Sequence, residues 1–356
     1  MPNLPALDGL RAIAVILVMF FHSRAPFLKQ GLIGVDVFFV ISGFLITCLL
    51  RKELQQRADI KLRSFYWRRF LRLTPPLILL LVLYTLLAPR FWPWYDGHYR
   101  DVLLAASYLS DYSKALYDVP RMLSHTWSLA VEEHFYLIWP LLLLATRGVS
   151  SRSLLLGLIV LYVLGTYWRF WCFENQPWKL AYYRFDSRFT GLVLGAVIAI
   201  ANGFQPPSGR VRLFALLALV PLVIAVGLLP DKTLLLQLGV TLVELASAAA
   251  ILLALGGGAF SRLLGWAPLR YLGLWSYGIY LFHFPIFMYL RKAYGWQSAL
   301  TVGTLITLLL AMTSYYTLEA WARKLRRKEG WKSGPKGTEA IGFANVSEPP
   351  QEISRD

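Results

Sequence analysis

Runs of about 20 apolar residues recur along this chain, and each is long enough to cross the hydrocarbon core of a bilayer. With 57% hydrophobic and only 16% charged residues, the chain is too apolar for a soluble domain. The expected fold is therefore all-α: a polytopic integral membrane protein of about ten transmembrane helices. The spans are expected near residues 7–26, 31–50, 74–91, 125–146, 152–171, 184–202, 211–229, 234–256, 269–290 and 298–321. No internal repeat is visible.

The net charge of +16 would suggest nucleic acid in a soluble protein. Here the charge sits in short loops and a tail, where it orients helices and meets anionic lipid, so no nucleic-acid partner is expected. On one side of the membrane the loops and the tail carry 22 Lys and Arg, on the other 13. The richer side faces the cytoplasm by the positive-inside rule, which puts both termini there in a multi-pass protein of the inner (plasma) membrane. Arg11 interrupts the first apolar run and no small-residue cleavage site follows, so the N-terminus is not expected to be a cleaved signal peptide. Cys48 and Cys172 fall near opposite faces and are not expected to pair. The stretch 326–356 is polar, with Gly, Pro and Ser, and is expected to be a disordered cytoplasmic tail.

Ionisable groups inside apolar helices are costly, so each is a candidate for function. Arg11 and His22 are eleven positions apart in the first run. At 100° per residue that is about three turns, so they share a face roughly 16 Å apart along the axis. Asp36 follows in the second span, Glu132 and Glu133 in the fourth, Arg184, Asp186 and Arg188 at the start of the sixth, and His283 in the ninth. Apart from Arg11, these groups fall in the outer half of the bilayer. A single pair, such as Asp186 with Arg184 or Arg188, is explained by mutual neutralisation, and a lone His283 by packing. Five spans with such groups at one depth suggest a polar cavity open to the outside.

In that cavity His22 is the candidate base, because an imidazole takes and returns a proton near neutrality. Asp36, about as deep in the next helix, is expected to bond its other ring nitrogen and fix the tautomer. There is no Gly-x-Ser-x-Gly nucleophile motif and no metal-ligand spacing, so no metal is expected. This favours direct transfer to an external hydroxyl over a covalent histidine intermediate.

Lys61–Leu73 alternates aromatic and aliphatic residues with arginines and reads as an amphipathic interfacial helix, with Pro75–Pro76 opening the third span. Arg68, Arg69 and Arg72 serve either as inside-positive anchors or as a phosphate site. Residues 92–124 form the largest external segment. Its tryptophans and tyrosines suit an interfacial belt, or a sugar site where flat rings cover pyranose faces.

Several ordered blocks resemble the membrane-bound acyltransferase 3 family of bacterial envelope O-acyltransferases. LDGLRAIAVILVMFFH is similar to its opening motif and carries Arg11 and His22. GVDVFFVISGFLI covers Asp36 and Ser42, and Arg69-Phe70-Leu71-Arg72 matches its Arg-x-x-Arg. WSLAVEEHFYLIWP with Trp127, RFDSRFTGLVLGA and WSYGIYLFHFPIF resemble later blocks. The resemblance covers about residues 5–325, and residues 1–325 are expected to form one membrane domain. It implies transfer of an acyl group, usually acetyl, from acyl-CoA (acetyl-CoA) on the cytoplasmic side to a carbohydrate or lipid-linked glycan. It also implies His22 as the catalytic residue, with Arg69 and Arg72, flanked by Arg68, at the CoA phosphates. Arg11 is expected to help hold the donor arm. Ser42, Trp127, Arg184, Asp186, Arg188 and His283 are then candidates for substrate binding, beside Glu132 and Glu133 in the catalytic set. Some members carry an extra hydrolase-like domain after the membrane part, which residues 1–356 do not include. Acceptor recognition is therefore expected in the membrane domain and segment 92–124, or in a partner protein.

Two other classes compete. A proton-coupled transporter or flippase would also place ionisable groups at one depth, but no matched broken helices support it. The third class is a non-catalytic glycan- or lipid-binding subunit. Lipopolysaccharide, exopolysaccharide, peptidoglycan and smaller glycosylated acceptors all remain open, as does the acyl group.

Overall fold

The computed structural model describes residues 4–26, 29–229 and 234–332. Among them the chain is helical throughout, with no strand. In order, the helices are α1 (Pro5–Ser23), α2 (Gly34–Arg57), α3 (Leu62–Phe91), α4 (His98–Ala106), α5 (Ser110–Tyr117), α6 (Trp127–Ala145), α7 (Ser151–Asn175), α8 (Trp178–Tyr183), α9 (Phe185–Arg188), α10 (Thr190–Ala201), α11 (Gly209–Gly227), α12 (Val240–Leu255), α13 (Gly258–Leu264), α14 (Ala267–Tyr294), α15 (Thr304–Ser314) and α16 (Ala320–Lys332). Eight helical runs among the described residues are long and apolar enough to cross a membrane. The two other expected spans are also helical. One is the 12-residue α10, entered through the broken α8–α9 turn, and the other is the 28-residue α14.

Two expectations change. Residues 61–73 do not form a separate interfacial helix: α3 starts at Leu62 and runs 30 residues to Phe91. Pro75 and Pro76 lie inside it rather than in its first turn. The Tyr277 hydroxyl donates to the Leu73 carbonyl at 2.7 Å, two residues before the proline pair. The tail expected from 326 begins as helix, to Lys332, and its remainder lies outside the described residues.

Burial separates core from periphery. The apolar window of the α2 run is 72% buried and that of α11 only 11%, so α2 is central and α11 presents leucines and valines to lipid. α1 packs along α14, and α2 along α10. Both approaches depend on glycine. A Cβ on Gly273 of α14 would fall on the Asp8 carbonyl of α1, and one on Gly195 of α10 on the Val40 carbonyl of α2. Cys48 and Cys172 are buried free thiols.

Candidate active site

Two cavities lie against α2, and both touch it at Val35. The inner one, about 120 Å³, is lined by Arg11, Ser42, Arg69, Arg72, Glu132 and Tyr136, among others. The outer one, about 380 Å³, contains His22, His125, Trp127 and Tyr182 in its wall. Val35 and Tyr280 line both. The single outward cavity expected from the depth of the polar residues is thus divided in two, with Glu132 on the inner side.

At the inner site, α3 carries Arg69 and Arg72 one turn apart, so both reach the same space. The Arg69 guanidinium lies 3.6 Å over the Tyr136 ring, and its Nε is buried with no hydrogen-bond partner. Arg11 sits 3.7 Å from Asp8 on its own helix. Glu132 accepts hydrogen bonds from Ser42 and Tyr136, both at 3.0 Å. Glu133, the next residue, lies about 100° around the helix and does not line this cavity. Its Oε1 is buried without a hydrogen-bond partner. Arg68 also points elsewhere, pairing with Glu53 at 3.3 Å while half exposed. Three close cations with only partial compensation make this the better phosphate site of the two cavities.

At the outer site, α1 delivers His22 against α14. His22 Nδ1 is 2.9 Å from His283 Nε2. His283 Nδ1 lies 2.7 Å from the Tyr280 carbonyl and 3.1 Å from that of Ile279. A carbonyl only accepts, so His283 carries its proton on Nδ1 and its Nε2 is the acceptor. His22 must then donate from Nδ1, which leaves His22 Nε2 as the basic nitrogen. The orienting partner of His22 is therefore a second histidine, not a carboxylate.

Asp36 was the expected partner, and its carboxylate is engaged elsewhere. Arg188 Nη2 donates to it at 2.5 Å, and both side chains are buried. The cause is the α2–α10 approach, which brings the residues at the head of α10 onto Asp36. A second buried pair, Arg169 with Glu244 at 3.0 Å, lies in the same helix cluster, so two cations offset two anions there. Arg184 and Asp186 pair with each other, and Trp168 donates to Asp186 at 2.9 Å. Neither lines a cavity described above, nor does Arg188, which packs its guanidinium 4.7 Å from the Tyr182 ring and 5.5 Å from that of Trp127.

Several wall residues carried no distinctive signal in the sequence. His125 donates from Nε2 to the Leu281 carbonyl at 3.0 Å, and its buried Nδ1 has no partner. Its ring stacks on Phe284, which itself packs edge-on against His22. Trp178, Tyr182 and Tyr183 come from α8. From segment 92–124, Trp92 and Tyr95 are buried in the core while Trp94, Tyr99 and Tyr117 are exposed. That segment reaches the outer cavity through Lys114, Asp118 and Arg121. Lys114 bonds Asp118 at 2.8 Å; burial lowers the ammonium pKa below its ordinary value, against the pull of Asp118. Among the described residues no group of three His, Cys, Asp or Glu is arranged to hold a metal.

A family model described as an acyltransferase domain matches residues 4–316. The chain is 30% identical over 350 residues to peptidoglycan O-acetyltransferase OatA of Listeria monocytogenes, covering 90% of this chain and 56% of that protein. It is 31% identical over 362 residues to putative peptidoglycan O-acetyltransferase YrhL of Bacillus subtilis, covering 93% and 56%. It is 30% identical over 352 residues to O-acetyltransferase OatA of Staphylococcus aureus, covering 90% and 57%. The chain spans about half the length of the curated relatives it matches. No solved structure matches it.

Proposed function

The chain belongs to the acyltransferase 3 family, and from that premise we propose that it transfers an acyl group, in the first instance acetyl, from acyl-CoA to a hydroxyl of a cell-envelope saccharide. The names of its relatives make peptidoglycan the leading acceptor. The observation that carries this reading is the pairing of two cavities that share Val35 and Tyr280, one rich in arginine and one holding a histidine base. The inner cavity takes the donor from the cytoplasm and the outer one takes the acceptor. The surplus of Lys and Arg on the side of Arg69 and Arg72 supports a plasma-membrane protein with both termini in the cytoplasm.

The residues divide the work. Arg69 and Arg72 hold donor phosphates, with Arg11 beside them. The donor arm then runs past Ser42 and Glu132 toward Val35 and Tyr280. Bound acyl-CoA supplies an activated thioester carbonyl. His22 Nε2 takes the proton of the acceptor hydroxyl as its oxygen bonds the acyl carbon, and gives that proton to the departing thiolate. His283 keeps His22 in the required tautomer and stabilises its charge while the proton is held.

General-base catalysis is worth about 10²–10⁴-fold. His22→Gln in isolated membranes should lower transfer of labelled acetyl from acetyl-CoA to envelope glycan by at least about 100-fold, with unchanged insertion and yield. Wild-type transfer by that variant would remove His22 from the chemistry.

A further inference from the structure

The outer cavity has an uneven charge. Five cations line it, Arg24, Lys114, Arg121, Lys179 and Arg291, against one carboxylate, Asp118. Asp118 is fully committed, bonded by Lys114 and by Lys179, each at 2.8 Å. Lys114 also lies 3.2 Å from the Pro120 carbonyl, so these three groups form a closed unit. Arg24, Arg121 and Arg291 have no carboxylate among the described residues.

Three separate elements bring them to the wall of one cavity. Arg24 caps α1 in the left-handed region, φ 63°, two residues after His22. Arg121 stands between α5 and α6 and is exposed. Arg291 lies in the last turns of α14, and its Nη1 donates to the His22 carbonyl at 2.5 Å, which leaves its other guanidinium nitrogens for a ligand. Arg24 is close enough to repel Arg291. Like charges in one cavity wall oppose each other unless an anion sits between them, and paired guanidinium forks fit the flat, two-oxygen face of a carboxylate or phosphate. The rest of the wall, Trp127, Trp178 and Tyr182, offers ring faces suited to the apolar side of a pyranose. An acid on the same saccharide would hold one end of it at the arginines while a hydroxyl reaches His22.

We propose that Arg24, Arg121 and Arg291 form an anion site that selects acceptor saccharides carrying a carboxylate or phosphate close to the hydroxyl that receives the acyl group. This rests on the acyl-transfer reading above. Arg24 and Arg121 are the selective pair. Arg291 links the bound anion to the backbone of His22, so a correctly placed acid also registers the hydroxyl on the base.

Binding to the full chain in nanodiscs tests this without any acyl donor. Three probes separate the chemistries: a neutral β-1,4-linked N-acetylglucosamine tetrasaccharide, the same tetrasaccharide with lactyl carboxylates on alternate rings, and a nucleotide-diphosphate N-acetylglucosamine. The carboxylated or the pyrophosphate probe should bind at least about tenfold tighter than the neutral one, and which of them does so names the anion. That advantage should shrink as salt rises. It should vanish in Arg24→Gln/Arg121→Gln, whose side chains are exposed, and in Arg291→Gln. Equal binding of all three probes, or an acidic advantage that survives the Arg24→Gln/Arg121→Gln change, overturns the anion site. So does a failure of every probe to bind. The acyl-transfer reading is judged separately, by whether wild-type membranes consume labelled acetyl-CoA in a His22-dependent way.

Discussion

At His22 the basic nitrogen is selected by hydrogen bonds that start at the Tyr280 carbonyl and pass through His283. This gives His283 and Asp36 different duties, which substitution separates. His283→Phe removes the acceptor for His22 Nδ1–H, so acyl transfer should fall while the protein still folds and still binds donor. His283→Gln keeps a side-chain oxygen and should recover part of the rate. Asp36→Ala instead strands the buried Arg188 charge, which typically costs about 3–5 kcal/mol. Its effect should be read as lost folded yield and a lower unfolding temperature. If Asp36→Ala lowered only the rate, with stability intact, the carboxylate would belong to the catalytic group after all. The sequence made His22 visible because a histidine in an apolar helix is rare. It could not reveal His283 as its partner, because 261 positions separate them and only helix packing joins them. His125 stayed invisible for a related reason: its free nitrogen is defined by a backbone carbonyl at Leu281.

Among the elements, the close helix pairs set where these side chains meet. α10 approaches α2 through Gly195 and thereby puts Arg188 beside Asp36. Gly195→Ala should force the helices apart and cost about 1–3 kcal/mol, seen as a lower unfolding temperature in detergent. Gly157→Ala, in open space on α7, serves as the control and should be neutral or mildly stabilising. Equal behaviour of the two variants would show that the α2–α10 approach is not held by that glycine. Apolar run length located the ten expected spans, all of which are helical, including the short α10, but it did not show the short helices α4, α5 and α8. Helix starts were harder to read. The arginine-rich turns of α3 look interfacial in isolation, and paired prolines look like a helix start. The chain runs through both as one continuous helix.

For the molecule as a whole, the arginine-lined inner cavity and the histidine-lined outer cavity meet at Val35 and Tyr280. The depth of ionisable residues pointed to a polar interior but merged the two spaces, because depth along a span does not tell which space a side chain lines. The charge asymmetry across the loops is what supports the proposed orientation, with its donor side and acceptor side. In the proposed reaction the acyl group is handed across the bilayer through these two cavities. Proteoliposomes test it directly, with the chain reconstituted in one known orientation, labelled acetyl-CoA confined to the cytoplasmic-side compartment and an impermeant acceptor saccharide to the other. Labelled acceptor should appear on the far side, dependent on His22 and abolished in Arg69→Gln/Arg72→Gln. Acylation only when donor and acceptor share one compartment would contradict it.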